Sequence, residues 1–138
     1  MDSVFLMNLK DIQPSQLYIS KKKLAKIQEI LDPNDKESLE IIPVKKLGTD
    51  IVYSDGHSRA YAAHLLGWQE VRVEWETEDL DWEMYEVCVD WCKQARISTI
   101  ADLSSRVISH KEYEILWYER CNQLKIQMEE KRSKTIIK

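Results

Sequence analysis

Chemically useful side chains are concentrated in one short run of the sequence, Asp55-Gly56-His57-Ser58-Arg59. The run offers a carboxylate, an imidazole whose ordinary pKa lies near neutrality, a hydroxyl and a permanent cation. Gly56 can take backbone angles that other residues avoid, so it lets a ligand approach the main chain. Together these residue types predict a binding site for an anion, and phosphate is the ligand that suits it best.

The elements on either side of the run must position it. β-Branched and aromatic residues at 51–53 predict a short strand, and helix formers at 60–66 predict a helix. Ser58 is a good N-cap for that helix, whose first amides would be unpaired and carry the positive end of its dipole. Because residues three, four and seven apart share a helix face, Arg59 is expected to be half-buried at the mouth of the core.

Each polar group in the run has alternative roles. Arg59 either binds an anion through its planar fork or pairs with Asp55 and holds the strand to the helix. Asp55 could accept a proton from a substrate hydroxyl, bind Mg²⁺ beside a phosphate, or hold Arg59 and cap the turn. His57 is expected to be accessible in the turn, where it would contact the ligand or act as an acid or base.

The order of motifs along the first half of the chain resembles the ParB/sulfiredoxin superfamily. Asp-Gly-His-Ser-Arg-Ala at 55–60 is followed by an Ala-rich helix ending in Leu66-Gly67 and by a strand of the Val71-Arg72-Val73 kind. The resemblance covers residues 4–75, and it includes the strand at 41–44 and the segment around Pro14.

In this superfamily the equivalent turn and helix start bind the phosphates of a nucleotide. The resemblance therefore implies that residues 56–59 bind phosphate, with ATP, ADP or CTP and Mg²⁺ as the expected cofactors. It also sets the loop after Pro14 beside the turn, which makes Gln16 and Tyr18 further candidates for ligand contact.

The turn is most similar to the Asp-Gly-His-His-Arg sequence of the archaeal free-serine kinases, which transfer phosphate from ADP to serine, and four of the five residues match. Gln16 stands where those kinases carry a catalytic glutamate, and a glutamine cannot act as a general base. Sulfiredoxins carry a catalytic cysteine where this chain has His57, so sulfiredoxin chemistry is not expected.

Three functions stay open: a kinase or nucleotide hydrolase acting on a small hydroxyl-bearing acceptor, a DNA-associated regulatory or partition-like module, and an interaction domain whose nucleotide site has decayed.

Composition limits the classes of protein and partner. With 138 residues, of which 43% are hydrophobic and 32% charged, the chain suits a globular protein with one core and an appendage. A net charge of −4 disfavours DNA as a partner, because non-specific DNA binding depends on neutralising phosphates. No apolar run approaches the roughly 18 residues of a membrane helix, and the first seven residues lack the pattern of a secretory signal, so a cytoplasmic protein without a membrane partner is expected.

The hydrophobic periodicity predicts an α+β fold, with a small mixed sheet and helices over residues 1–78 as the nucleotide-binding core and an α-helical extension over 79–138 packed on it. Expected in the core are strands at 4–9, 41–47, 51–54 and 71–75, and a helix at 21–31 that Ser20 caps. Lys21, Lys22 and Lys23 at the helix start either lie in solvent or surround an anion near the turn. Alternate residues of the last strand, ending with Trp75, are expected to face the core.

The C-terminal part predicts helices at 80–95, with Asp79 as the cap, at 99–105 and at 111–130, with a frayed polar tail beyond Met128. Their broad apolar faces indicate packing on the core or self-association as a homodimer. Residues 100–117 also fit the order of a helix-turn-helix, but acids occupy the second helix where a reading helix uses arginine, asparagine or glutamine, so packing is favoured. Cys88, Cys92 and Cys121 have no complement of metal ligands nearby and are expected to be buried, reduced thiols.

Overall fold

Four strands form a mixed sheet in the computed structural model, which describes residues 3–137. They are β1 (Phe5–Asn8), β3 (Ile42–Leu47), β4 (Asp50–Tyr53) and β5 (Glu70–Trp75). Across the sheet the order is β1-β5-β3-β4, in which β3 runs parallel to β5 and the other two pairs are antiparallel. A separate parallel pair joins β2 (Ile19–Ser20) to β6 (Val107–Ile108). The predicted α+β class is confirmed, and the predicted ends at residues 1 and 138 lie outside the described residues.

The helices follow the predicted order along the chain. The α-helices are α1 (Lys21–Ile30), α2 (His57–Leu65), α3 (Trp82–Gln94), α4 (His110–Tyr113) and α5 (Glu119–Ile137), with a π turn (Glu114–Tyr118) that joins α4 to α5 without a break. The helix predicted at 99–105 is a 3₁₀ helix, Ile100–Arg106. The term C-terminal helix is used here for residues 110–137. Within residues 3–137, no helix has the length and apolar character needed to cross a membrane.

One of the two predicted N-caps of α1 and α3 is confirmed and the other is wrong. Ser20 Oγ accepts a hydrogen bond from the Lys23 N–H at 3.3 Å, which confirms Ser20 as the N-cap of α1. The predicted cap of α3, Asp79, is wrong, because Asp81 Oδ1 accepts from the Met84 N–H at 3.2 Å. Asp81 has a second partner that favours this position, the guanidinium of Arg132, at 2.9 Å.

The C-terminal helix extends beyond its predicted end, and the Asp81–Arg132 contact lies in this added part. Arg132 donates from both of its terminal nitrogens to the two carboxylate oxygens of Asp81, at 2.9 and 3.1 Å. This paired geometry ties the last turns of the C-terminal helix to the start of α3. The helix consequently continues to Ile137.

One hydrophobic cluster includes residues from both predicted parts of the chain. Ile42, Val44 and Val73 of the sheet belong to it together with Leu103 and Tyr113 from the second half. Within this shared core the C-terminal helix packs on α1, α3 and β2. The expectation that Trp75 faces inward is wrong, since its side chain is 47% exposed. It is the last residue of β5, and its ring packs beside that of Phe5, with the centroids 5.3 Å apart.

Candidate functional site

The turn between β4 and α2 carries the Asp55–Arg59 run. Gly56 occupies the N-cap position of α2 with φ 84° and ψ 23°, a left-handed conformation that suits glycine. The first bond of the helix runs from the Ala60 N–H to the Gly56 carbonyl, at 3.0 Å. The N–H groups of residues 57–59 precede that bond and have no acceptor inside the helix. They therefore give the start of α2 a partial positive charge.

The predicted role of Ser58 as the N-cap is wrong. Ser58 is the second residue of α2 and is buried, two positions beyond the cap. Gly56 turns the chain into the helix first, because it accepts a left-handed conformation that a residue with a Cβ avoids. Ser58 nevertheless lines the pocket described below, so its backbone N–H stays at the site.

Arg59 folds back over the turn. A Cβ built on Gly56 would lie 3.1 Å from Cζ, Nε and Nη2 of Arg59. Nη1 donates a hydrogen bond to the Ile41 carbonyl at 2.6 Å, which fixes one edge of the guanidinium. Asp55 Oδ2 lies 3.5 Å from Nη2 and Glu40 Oε2 lies 3.9 Å from Nη1, and both carboxylates are largely exposed. The side chain of Arg59 is 17% exposed, which agrees with the half-buried position predicted for it. Its contacts with the two solvated carboxylates are long, so much of its charge stays unneutralised.

His57 is buried, so the expectation that it is accessible is wrong. Its side chain is 5% exposed, and its ring packs on that of Tyr53 with the centroids 5.0 Å apart. Nε2 accepts a hydrogen bond from the Ser15 N–H at 3.0 Å, which leaves Nδ1 to carry the proton of the neutral ring. Burial lowers the pKa of His57 from 6.5 to about 3, against a smaller raising effect of Asp55 and with a further lowering by Arg59. His57 therefore stays neutral near pH 7, and this geometry gives it the role of holding the loop at Ser15 against the turn.

A second bond fixes that loop. Ser15 Oγ donates to the Tyr53 carbonyl at 2.8 Å. The residue after it, Gln16, donates from Nε2 to the Tyr18 carbonyl at 2.7 Å and lines both of the pockets described next. Tyr18 lines neither of them, and its ring instead faces the guanidinium of Arg106, 5.4 Å from the centroid. Of the two predicted loop contacts, the structure brings Gln16 to the site and leaves Tyr18 aside.

A pocket of about 290 Å³ lies over the start of α2. We call it the anion pocket, and define it by Gln16, Lys23, Lys26, residues 55–59 and Tyr113. Its cations come from two helices, with Lys23 and Lys26 on α1 and Arg59 on α2. Lys23 Nζ also lies 5.2 Å from the ring centroid of Tyr113, a cation–π contact that holds the amine near the pocket. Among the predicted lysines only Lys23 lines the anion pocket; Lys21 and Lys22 do not.

Lys26 was missed by the sequence analysis. The signal was present, because residues three apart share a helix face and Lys26 follows Lys23 by three positions.

A second pocket of about 300 Å³ continues from the first. The two share Gln16, Lys23, Asp55, His57 and Tyr113. We call the second one the aromatic pocket; α3 adds Met84, Tyr85 and Cys88 to its wall, and the C-terminal helix adds Trp117, Tyr118 and Cys121. Tyr85 holds α3 to the turn, because its hydroxyl donates to the Ser54 carbonyl at 2.6 Å.

The C-terminal helix is thus part of the site as well as part of the core. Tyr113 and Trp117 are buried, and both line the aromatic pocket. The π turn at Glu114–Tyr118 lies on this wall, and such turns interrupt α-helices at functional sites in many proteins. The segment that resembled a DNA-reading helix directs these two aromatic residues inward, which agrees with the packing that the sequence analysis favoured.

Metal binding has limited support in the described residues. Residues 3–137 contain no group of three or more His, Cys, Asp or Glu side chains placed to hold an ion. Asp55 lines both pockets with a side chain that is 79% exposed. A single carboxylate is enough for Mg²⁺ when phosphates of a ligand supply other oxygens, so Asp55 fits a metal that arrives with a nucleotide.

Comparison with known proteins bears on the fold. No family model and no curated protein matches this chain. Among solved structures, it is similar to the crystal structure of protein Atu1540 from Agrobacterium tumefaciens, with a TM-score of 0.51 and 14% sequence identity. The match covers 72% of this chain, which spans 61% of the length of the other. At this identity the likeness concerns the fold alone.

Proposed function

We propose that this protein binds a nucleotide, or another phosphorylated small ligand, with its phosphates in the anion pocket. The observation that carries the proposal is the meeting of Lys23, Lys26 and Arg59 with the start of α2 around one cavity. Free N–H groups at a helix start and nearby cations are the two features that proteins combine to bind phosphate. The resemblance of the turn to the ParB/sulfiredoxin superfamily supports the same ligand.

The charge at the pocket favours an anion although the whole chain is acidic. Three cations stand against one carboxylate in the lining, while the net charge of the chain is −4. A local excess of positive charge inside a concave wall concentrates anions there, and the surrounding negative charge lowers non-specific attraction elsewhere. Arg59 adds directionality, because its guanidinium is held by the Ile41 carbonyl before any ligand arrives.

The aromatic pocket favours a nucleotide over a simple phosphate as the proposed ligand. Tyr113, Trp117 and Tyr118 present ring surface beside the anion pocket, and such surface suits a flat base or another apolar group. At about 290 and 300 Å³, each pocket is near the lower end of the roughly 300–1,000 Å³ usual for ligand sites. A ligand that extends through both would place its charged end on α2 and its ring against the C-terminal helix.

Isothermal titration calorimetry with ATP, ADP and CTP, each with Mg²⁺, tests the proposal. We expect the Lys23→Ala/Lys26→Ala double variant to bind at least about tenfold more weakly than the wild type, because two charge-assisted contacts are lost. The matched control is Lys21→Ala/Lys22→Ala, which removes the same charge from the same helix outside the pocket. We expect its affinity to stay within about threefold of the wild type, the scale of a general field effect.

Equal weakening of the two double variants would mean that only the overall charge attracts the ligand. Absence of binding by the wild type to all three nucleotides would reject the nucleotide proposal. Titration with inorganic pyrophosphate separates the two halves of the site, since it reaches the anion pocket without using the aromatic wall.

A second candidate function, phosphoryl transfer, is favoured by the position of Asp55. Its exposed carboxylate lines both pockets, where a phosphate and an acceptor hydroxyl could meet. There it would accept the proton of the hydroxyl or hold Mg²⁺ on the phosphates, while Arg59 and the amides of α2 stabilise the transferred group. His57 is not assigned a proton-transfer role, because its Nε2 is bonded to the Ser15 N–H.

For Asp55→Asn we expect turnover to be lost while nucleotide affinity without Mg²⁺ stays within about threefold of the wild type, because asparagine neither takes a proton nor carries charge. The measurement is chromatography of nucleotide consumed in the presence of small hydroxyl-bearing acceptors, with serine as the first. Unchanged turnover in the variant would remove Asp55 from the mechanism.

A further inference from the structure

Two thiols line the aromatic pocket, one from each of two helices. Cys88 lies on α3 and Cys121 on α5, and both line this cavity. The two helices pack against each other, so the thiols belong to adjoining walls of one solvent-connected space. Cys92 differs from both, because it is fully buried one turn later on α3 and lines neither pocket.

The surroundings make the two thiols chemically unequal. The neighbouring Cys88 thiol lowers the pKa of Cys121, against the raising effect of burial, and the pKa of Cys88 is raised by Cys121 and by burial. The Arg120 guanidinium lowers the pKa of Cys121 further, and it is held in place over the Trp91 ring, 4.0 Å from the centroid. Cys121 is also partly exposed, whereas Cys88 is buried. Cys121 therefore has the character of an attacking thiolate, with Cys88 beside it on α3.

We propose that Cys88 and Cys121 are an oxidation site that forms a reversible disulfide on reaction with hydrogen peroxide. In the first step the Cys121 thiolate attacks one peroxide oxygen, the O–O bond breaks, and a sulfenic acid forms as hydroxide leaves. In the second step the Cys88 sulfur attacks the Cys121 sulfur, the S–O bond breaks, and the oxygen leaves as water with the proton of Cys88. The two sulfurs are oxidised together by two electrons, and the peroxide is reduced to one hydroxide and one water; the hydroxide takes up the proton that Cys121 lost to solvent.

The disulfide would link α3 covalently to the C-terminal helix. Both helices contribute the wall of the aromatic pocket, so the bond fixes the distance between Tyr85 and the residues around Trp117. The linked positions close a loop of chain between them, and this restricts the unfolded state. We expect the oxidised protein to melt roughly 10 °C higher than the reduced protein.

The test is intact-mass measurement after peroxide treatment, followed by non-reducing peptide mapping. We expect a loss of two hydrogens per chain, a linked peptide that contains Cys88 and Cys121, and full reversal by dithiothreitol. Cys88→Ser and Cys121→Ser should each abolish the change, and Cys92→Ser, the matched control on α3, should leave it intact.

A disulfide through Cys92, a disulfide between two chains, or oxidation of Cys121 to sulfinic acid without any linkage would each overturn the proposal. The readout contains no nucleotide, so its failure is distinct from failure of the proposed function. The rise in melting temperature provides a second measurement that does not depend on the serine variants.

Discussion

Lowering the pH from about 7 to about 4.5 is expected to remove roughly 2.5 kcal/mol from the free energy of unfolding through His57 alone. Burial lowers the pKa of this imidazole from 6.5 to about 3 in the folded protein. Between those two values the unfolded chain binds a proton at this position and the folded chain does not. The stabilising contribution is therefore fully present above about pH 6.5 and is lost as the pH falls toward 3.

Urea denaturation at several pH values measures this effect. His57→Gln is the informative variant, because Gln can offer an oxygen to the Ser15 N–H but cannot take up a proton. We expect its stability to be lower than that of the wild type at neutral pH and to vary far less between about pH 6.5 and 4.5. The matched control is His64→Gln, which removes an imidazole from the far end of α2.

The pH window separates His57 from the acidic groups. The pKa values of Asp81 and Asp102 lie below their ordinary 3.8, because the Arg132 guanidinium bonds to the first and the N–H groups of Ser98 and Thr99 bond to the second. Their contributions are present above that value and are lost at lower pH, so they leave most of the chosen window unaffected. A pH dependence of His57→Gln as steep as that of the wild type would show that another group carries the effect.

Elements that depend on local signals were predictable from the sequence. A residue type that favours the N-cap, followed by helical periodicity, predicted the Ser20 cap and the bounds of α1. The β3–β4 hairpin came from two β-branched runs around Gly48. The half-buried position of Arg59 came from helical spacing alone. In each case the residues that decide the structure lie close together in the sequence.

The caps of α2 and α3 were mispredicted by two residues each, while other mispredicted features depend on contacts between distant parts of the chain. His57 was expected in the open because a turn is normally exposed, but Ser15, 42 positions earlier, covers it and donates to its ring. The aromatic face of the C-terminal helix was expected to pack against the core, and Tyr113 and Trp117 are indeed buried. The same two residues also line the aromatic pocket. Periodicity identifies such a face as apolar without indicating whether a protein wall or a ligand covers it.

Gly56→Ala is expected to disrupt the site more than a similar change at the other end of the same helix. Gly56 has φ 84°, and Gly67, after α2, has φ 80°. Adding a Cβ at either position forces a left-handed conformation on alanine, which we expect to lower the free energy of unfolding by about 1–2 kcal/mol in both variants. Backbone strain is thus matched between them.

The two positions differ in what the new methyl group would meet. At Gly67 it has nothing within 4 Å, while at Gly56 it would lie 3.1 Å from three atoms of the Arg59 guanidinium. The guanidinium must then shift by a few tenths of an ångström, which strains the hydrogen bond from Nη1 to the Ile41 carbonyl, 2.6 Å long. We therefore expect Gly56→Ala to lose about a further 1–2 kcal/mol of stability, the scale of a charge-assisted hydrogen bond.

Ligand binding separates the variants further. Gly56→Ala should weaken binding of the best nucleotide by at least about tenfold, because the new methyl group shifts the Arg59 guanidinium at the pocket, whereas Gly67→Ala should bind like the wild type. Urea denaturation and calorimetry on the two variants supply both readouts. Equal stability losses and equal affinities would contradict the role of Gly56 in leaving room for Arg59 at the anion pocket.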